Sequence, residues 1–167
     1  NTLLQLFLPQ VYNNVVHITE MAYEEGEWGN QLDLPHPDEC GLRTSEYLSY
    51  GEFKALGKHV DGGSIYTTIF ALSDPESYEG GEYYIIPRDQ PNNDKQYFFK
   101  PQQYSAMVFL SETQHGVQDI SSGHRAMFTN EFWHFPDPPF PGSRRPPEHH
   151  MGVFTEMTEH ELDVPED

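Results

Sequence analysis

His59 and Asp61 stand two residues apart in Gly57-Lys58-His59-Val60-Asp61-Gly62-Gly63, at the head of a run of strand-forming residues. On an extended chain, residues i and i+2 point the same way, so an imidazole nitrogen and a carboxylate oxygen can aim at one point. A third donor must come from elsewhere, and His115, in Thr113-Gln114-His115-Gly116-Val117, opens a later strand. Two histidines and a carboxylate on one face of a metal octahedron leave three positions open for reactants. Each residue alone has a plainer reading: Asp before Gly-Gly is ordinary turn chemistry, and His115 is a strand-end histidine.

Open metal positions need a cosubstrate. Ten residues after His115, across Ser121-Ser122-Gly123 read as a turn, stands Arg125, whose planar, always-charged fork suits bidentate binding of a carboxylate. Such a hairpin would hold His115 at the metal and Arg125 deeper in a barrel, a separation suited to a short dicarboxylate whose other end chelates the metal. By itself Arg125 would read as a surface cation.

The elements that must position these residues follow from periodicity and turn signals. Val11, Val15, Ile18 and Ala22 recur at helical spacing behind Pro9, and Gly26 supplies a stop, so Val11 to Glu25 reads as an amphipathic helix lying against a sheet. From Leu42 onward the texture is short and β-rich: 42–50, 64–72, 82–86, 96–100, 106–110, 117–120 and 125–133, separated by turn signals such as Asp74-Pro75, Gly80-Gly81 and Pro91-Asn92-Asn93. No helical pattern separates these runs, which disfavours a parallel α/β sheet and predicts a β-sandwich or jelly roll with helical cladding. The segment from Phe135 to Pro147 is too proline-rich for helix or central strand and reads as an extended wrap, followed by an acidic end.

With 167 residues the chain predicts one domain, and its formal charge of −18 excludes nucleic acid as a partner. The acidity is a solvating surface or an attraction for a basic peptide. No apolar run reaches bilayer-spanning length, so no membrane insertion is expected in this segment. Cys40 is alone, which rules out an intrachain disulfide and leans toward the cytoplasm, whereas removal of an upstream signal before Asn1 would allow the secretory lumen.

The ordered set His59-X-Asp61, Gly80-Gly81-Glu82, Lys100-Pro101 leading to Ala106-Met107-Val108-Phe109, His115-Gly116-Val117 and Gly123-His124-Arg125 resembles the 2-oxoglutarate and iron(II)-dependent oxygenases, in the branch of the prolyl 4-hydroxylases. The resemblance runs from about Ser45 to Trp133. It implies a mainly β double-stranded β-helix (jelly roll) with an N-terminal helix packed on the outside: a helical entry over 9–30, a core over 42–133 and a tail over 134–167. It implies His59, Asp61 and His115 as iron ligands, Arg125 on the distal carboxylate of 2-oxoglutarate, and Tyr50 and Thr129 as further cosubstrate contacts. Collagen-type prolyl hydroxylases usually carry lysine where Arg125 stands, a departure that bears on the substrate and leaves cosubstrate binding intact.

The implied activity is hydroxylation of a C–H bond, with succinate and carbon dioxide as co-products and ascorbate as reductant. The expected substrate is a prolyl residue in a peptide or protein, with a small molecule or another side chain as the alternative. Tyr66, Arg88, Glu131 and Trp133 are candidates for the substrate mouth, each with a plainer core or surface reading. Glu148 with His149-His150 reads as a solvated pair rather than a second metal site, Tyr104 and Trp28 as packing, and Tyr83 and Tyr84 as alternating strand residues, one inward and one outward. Two other classes remain: a cupin-like metal-binding barrel, for which Asp61 stands where a second histidine is usual, and a catalytically inactive barrel, which the loss of a ligand would signal.

Overall fold

The computed structural model describes residues 2–52, 54–87 and 95–134. Arg88, the proline-rich segment, the His149-His150 pair and the acidic end lie outside the described residues.

Helices α1 (Thr2–Phe7), α2 (Pro9–Glu25) and α3 (Trp28–Leu32) precede ten strands. Pro9 opens α2 where its missing N–H is no loss, and the Gly26 N–H closes it on the Ala22 carbonyl. The buried face is Tyr12, Val15, Val16 and Thr19, one position round from the expected stripe, and Val11 is left exposed. The hydroxyl of Thr19 explains the rotation: it donates to the Val15 carbonyl at 2.7 Å and meets the Thr68 hydroxyl at 2.6 Å, so a polar residue is satisfied under the helix.

The strands form two antiparallel four-stranded sheets. The first has the order β1 (Cys40–Tyr50), β10 (Arg125–His134), β3 (Tyr66–Ala71), β7 (Ala106–Leu110); the second runs β2 (Leu56–His59), β8 (Gln114–Val117), β5 (Tyr83–Ile86), β6 (Tyr97–Phe99). A two-stranded piece pairs β4 (Tyr78–Gly80) with β9 (Ile120–Gly123). The two sheets share one interior, where Ile69 and Met127 of the first pack with Tyr83 and Val117 of the second. A second cluster lies on the outer face of the first sheet, where Tyr12, Val15 and Val16 of α2 pack on Cys40, Leu42, Tyr66 and Phe132. Each large side chain buried there is worth about 1.5–3 kcal/mol. The fold is thus a mainly β jelly roll with its N-terminal helix on the outside.

Three expectations need correction. Strands β2 and β4 were not foreseen: Leu-Gly-Lys-His and Tyr-Glu-Gly have no apolar alternation, and they exist because β8 and β9 recruit them. The run 117–120 is not one strand, because at Gln118-Asp119 the chain turns a corner, with the Gln118 N–H on the Glu82 carbonyl and the Gly81 N–H on the Asp119 carbonyl. Ser121-Ser122-Gly123 is part of β9 rather than a turn, so β8 and β10 are no hairpin; they lie in different sheets and face each other.

Candidate active site

The two candidate histidine ligands are aimed by one local device and the aspartate by another. His59 ends β2 and stands directly opposite His115 in β8, with ring centroids 4.2 Å apart. The His59 Nδ1 lies 2.8 Å from the Gly57 carbonyl and the His115 Nδ1 lies 2.8 Å from the Thr113 carbonyl. A carbonyl only accepts, so each Nδ1 carries the proton and each Nε2 keeps its lone pair, the tautomer a metal requires. Both Nε2 atoms face the same oxygen, Asp61 Oδ1, at 3.5 Å from His59 and 3.6 Å from His115.

Asp61 is anchored through its other oxygen. Thr67 of β3 donates to Oδ2 at 2.6 Å and meets the Ser111 hydroxyl at 2.9 Å, while the Asp61 N–H bonds the Ser111 carbonyl. Oδ1 is therefore the oxygen turned toward the imidazoles. The donor atoms of His59, Asp61 and His115 all lie within 4.8 Å of one another. Burial is the main cause of a lowered pKa at His115; the Thr113 carbonyl and the charge of Asp61 oppose it, and His59 adds to it. A neutral imidazole is the ligand form, so this environment and a divalent ion such as iron(II) fit each other.

The same interior holds an anion site. Strand alternation puts Arg125, Met127, Thr129, Glu131 and Trp133 on the inner face of β10. Arg125 is 2% exposed; its Nη1 reaches only the Met127 sulfur at 3.7 Å, and its Nη2 is buried with no partner. No carboxylate among the described residues is in ion-pair range of it. The Thr129 hydroxyl is likewise buried and unpartnered. Tyr50 lies directly across from Arg125 in the β1–β10 pairing. Its phenol is pushed up chiefly by burial, and the charge of Arg125 works against that rise.

One residue of this interior was read only as an alternating strand position. Tyr83 of β5 stacks on His115 at 5.7 Å and 13°, and the Arg125 guanidinium lies 5.9 Å from its ring centroid. Its hydroxyl is buried and unpartnered. Burial pushes its pKa well above the ordinary phenol value; Asp61 adds to the rise and Arg125 opposes it. Tyr83 thus spans the gap between the metal-ligand cluster and the anion site. The signal that could have found it was its place two residues after the Gly80-Gly81 pair, both at positive φ, which brings the chain into β5. Tyr84 is buried too, on the opposite face, with its ring against Gly116.

The candidate mouth residues fare differently. Tyr66 is a correction: fully buried in the outer cluster, it stacks on Trp28 and donates to the Pro35 carbonyl at 2.6 Å, because alternation on β3 turns Thr67 inward and Tyr66 outward. Glu131 and Trp133 face the interior, where Ser64 donates to Glu131 at 2.5 Å and Arg43 lies 5.8 Å from the Trp133 ring centroid. Tyr104 is no packing residue; it is 78% exposed with φ +63°. A second group of possible ligands, Glu20, His36 and Asp38, sits outside the barrel. There the 2.6 Å contact of His36 with Asp38 is accounted for by the Pro37–Glu39 turn.

The sequence model of the 2OG-Fe(II) oxygenase superfamily matches residues 42–133. Comparison with curated proteins finds no match. Among solved structures the chain is similar to an oxidoreductase of the 2OG-Fe(II) oxygenase family from Burkholderia pseudomallei, at 17% identity and a TM-score of 0.50, covering 57% of this chain and 45% of that one. It is also similar to a Pseudomonas putida prolyl-4-hydroxylase, at 18% identity and a TM-score of 0.50, covering 68% of this chain and 63% of that one. A third similarity is to the nickel complex of the non-haem monooxygenase ThoJ, at 12% identity and a TM-score of 0.51, covering 73% and 57%. At these identities the structures speak for the fold, and the chain spans between 45% and 63% of their lengths. The superfamily match covers more than half of the chain, over the segments that carry His59, Asp61, His115 and Arg125, and the chain belongs to the 2OG-Fe(II) oxygenase superfamily.

Proposed function

We propose that this chain uses iron(II), 2-oxoglutarate and dioxygen to hydroxylate an unactivated C–H bond, and that the substrate is a prolyl residue in a peptide or protein. The observation that carries the cosubstrate assignment is Arg125. A buried, permanently charged guanidinium with no carboxylate beside it among the described residues is costly, and a bound dicarboxylate supplies the missing counter-charge. Peptide hydroxylation is supported by the likeness to a prolyl-4-hydroxylase and by a net charge of −18 that suits a basic peptide.

His59 and His115 hold the ion through Nε2 and Asp61 through Oδ1, each kept in that orientation by a carbonyl or by Thr67. Arg125 takes the distal carboxylate, with Tyr83, Thr129 and Tyr50 as hydroxyl partners around it. Orientation is the larger contribution of these residues, since a cosubstrate held at both ends presents its keto end to the ion in one pose. The ion, when bound, supplies the oxygen activation that couples decarboxylation of 2-oxoglutarate to succinate with oxygen insertion, and ascorbate serves as its reductant. Residues 1–167 are read as one oxygenase domain.

The substrate is tested by incubating the iron-loaded protein with 2-oxoglutarate and a pool of proline-containing peptides and reading one added oxygen per modified prolyl residue by mass spectrometry. Succinate formed without any modified proline would assign the activity to another side chain or a small molecule.

A further inference from the structure

Asp61 begins a turn, Asp61-Gly62-Gly63-Ser64, that has little stiffness of its own. Two glycines lie in its centre, Gly63 at φ +91°, and a side chain at Gly62 would meet nothing within 4 Å. Within the turn the hydrogen bonds are the Gly62 N–H to the Val60 carbonyl and the Ser64 N–H to the Asp61 carbonyl, at 3.0 and 3.2 Å. A carboxylate on such a turn needs an outside brace.

Thr67 and Ser111 hold Asp61 at the start of the turn, and the brace on the rest of it comes from β1. There the register jumps from Leu42 opposite Phe132 to Thr44 opposite Glu131, leaving Arg43 as the extra residue of a bulge. Leu42 faces outward with Phe132, so Arg43, the next residue, faces inward, and the bulge then leaves Thr44 opposite Glu131 on the same inner face. Arg43 Nη1 donates to the Gly62 carbonyl at 2.7 Å and to the Ser64 hydroxyl at 2.9 Å, and lies 3.4 Å from Glu131 Oε2. Ser64 passes its own proton to the same Glu131 oxygen at 2.5 Å. One guanidinium nitrogen thus ties two residues of the turn to the central strand β10, and the Trp133 ring, 1% exposed, backs the Arg43 group at 5.8 Å.

We infer that Arg43 is a positioning residue of the metal-ligand turn: facing inward at the β1 bulge, it locks Gly62 and Ser64 to Glu131 and so, together with the Thr67 and Ser111 contacts of Asp61, fixes where Asp61 presents its carboxylate. The inference rests on the ligand set proposed above. It also gives Glu131 a role, since that carboxylate is engaged by Ser64 and Arg43 rather than held ready for a substrate.

The test is manganese(II) affinity by calorimetry and the ligand-field spectrum of the cobalt(II)-loaded protein, for wild type, Asp61→Ala, Arg43→Ala, Arg43→Lys, Glu131→Gln and Tyr66→Phe. Arg43→Ala is expected to weaken manganese about 10- to 100-fold and to alter the cobalt spectrum. Arg43→Lys and Glu131→Gln should lose less, because each keeps part of the clamp. Tyr66→Phe removes a buried hydrogen bond to the Pro35 carbonyl on the outer face of β3, away from the metal ligands, and should lower stability while leaving affinity unchanged. Should Arg43→Ala fail to fold, the graded losses of Arg43→Lys and Glu131→Gln carry the test, and wild-type affinity in both overturns the inference. Asp61→Ala weak with Arg43→Ala at wild-type affinity overturns the inference alone. Asp61→Ala at wild-type affinity overturns the ligand set, and the inference with it.

Discussion

His59 and His115 face each other across β2 and β8, ring centroids 4.2 Å apart, and each gives its Nδ1 proton to the carbonyl two residues before it. The two imidazoles reach the same Asp61 oxygen by the same local device repeated on neighbouring strands. A pair held in this way keeps both Nε2 lone pairs available without reorganisation.

Thr67→Val removes the hydroxyl that holds Asp61 Oδ2 and leaves the volume of the side chain nearly unchanged. We expect metal affinity to fall about 10-fold or more, with the far-UV spectrum retained. Calorimetric titration with manganese(II) reads this directly, and an unchanged affinity would mean that the Ser111 and Arg43 contacts hold Asp61 without the Thr67 hydroxyl.

Arg125→Ala should raise the 2-oxoglutarate requirement far more than it weakens metal binding, because its contact is to the organic anion. Loss of a buried charge-assisted pair worth about 2–3 kcal/mol corresponds to roughly 30- to 150-fold in apparent affinity. Equal losses in metal and 2-oxoglutarate binding would point instead to a structural role for this side chain.

Tyr83→Phe keeps the ring that stacks on His115 and deletes the hydroxyl. Loss of one neutral donor, about 1 kcal/mol, predicts about a 5-fold weaker 2-oxoglutarate affinity. Burial holds the Tyr83 phenol well above its ordinary value, so it stays a donor as pH rises, and the ratio of wild-type to variant affinity should be flat up to about pH 9. A ratio that collapses toward one below that pH would show a phenol that ionises early.

Gly116→Val places a side chain where a Cβ alone would stand 2.4 Å from the Tyr84 hydroxyl and 2.7 Å from the Leu56 carbonyl of β2. That overpacking should cost about 1–3 kcal/mol and push away the strand that carries His59, lowering both Tm and metal affinity. A variant with wild-type Tm would show that β2 yields without cost.

His-X-Asp was legible in the sequence by residue type and spacing, although strand alternation was the wrong reason: β2 ends at His59, and Asp61 is aimed from the start of a turn by Thr67 and Ser111. Strands β3, β7 and β10 were legible from their apolar and β-branched runs. The pairing of β2 with β8 was not, since Leu56-Gly57-Lys58-His59 has no pattern of its own and only the register Leu56 to Val117 and His59 to His115 defines it. Arg125 was found by type and order, yet placing it on a hairpin with His115 failed because nothing local says that β9 pairs with β4. Tyr83 and Arg43 escaped for a related reason: their partners, His115 and Arg125 for Tyr83 and the Gly62 carbonyl and Glu131 for Arg43, are distant in sequence, and none of these pairings is written in hydrophobic periodicity.

The central claim is that His59, Asp61 and His115 hold the iron that turns over 2-oxoglutarate. Its most direct test is succinate formed from 2-oxoglutarate on admitting air to anaerobically iron-loaded protein, for wild type and for Asp61→Ala. The account predicts iron-dependent succinate from the wild type and none from a folded Asp61→Ala. Succinate from Asp61→Ala at the wild-type rate, or none from an iron-loaded wild type supplied with ascorbate and proline-containing peptides, would contradict it.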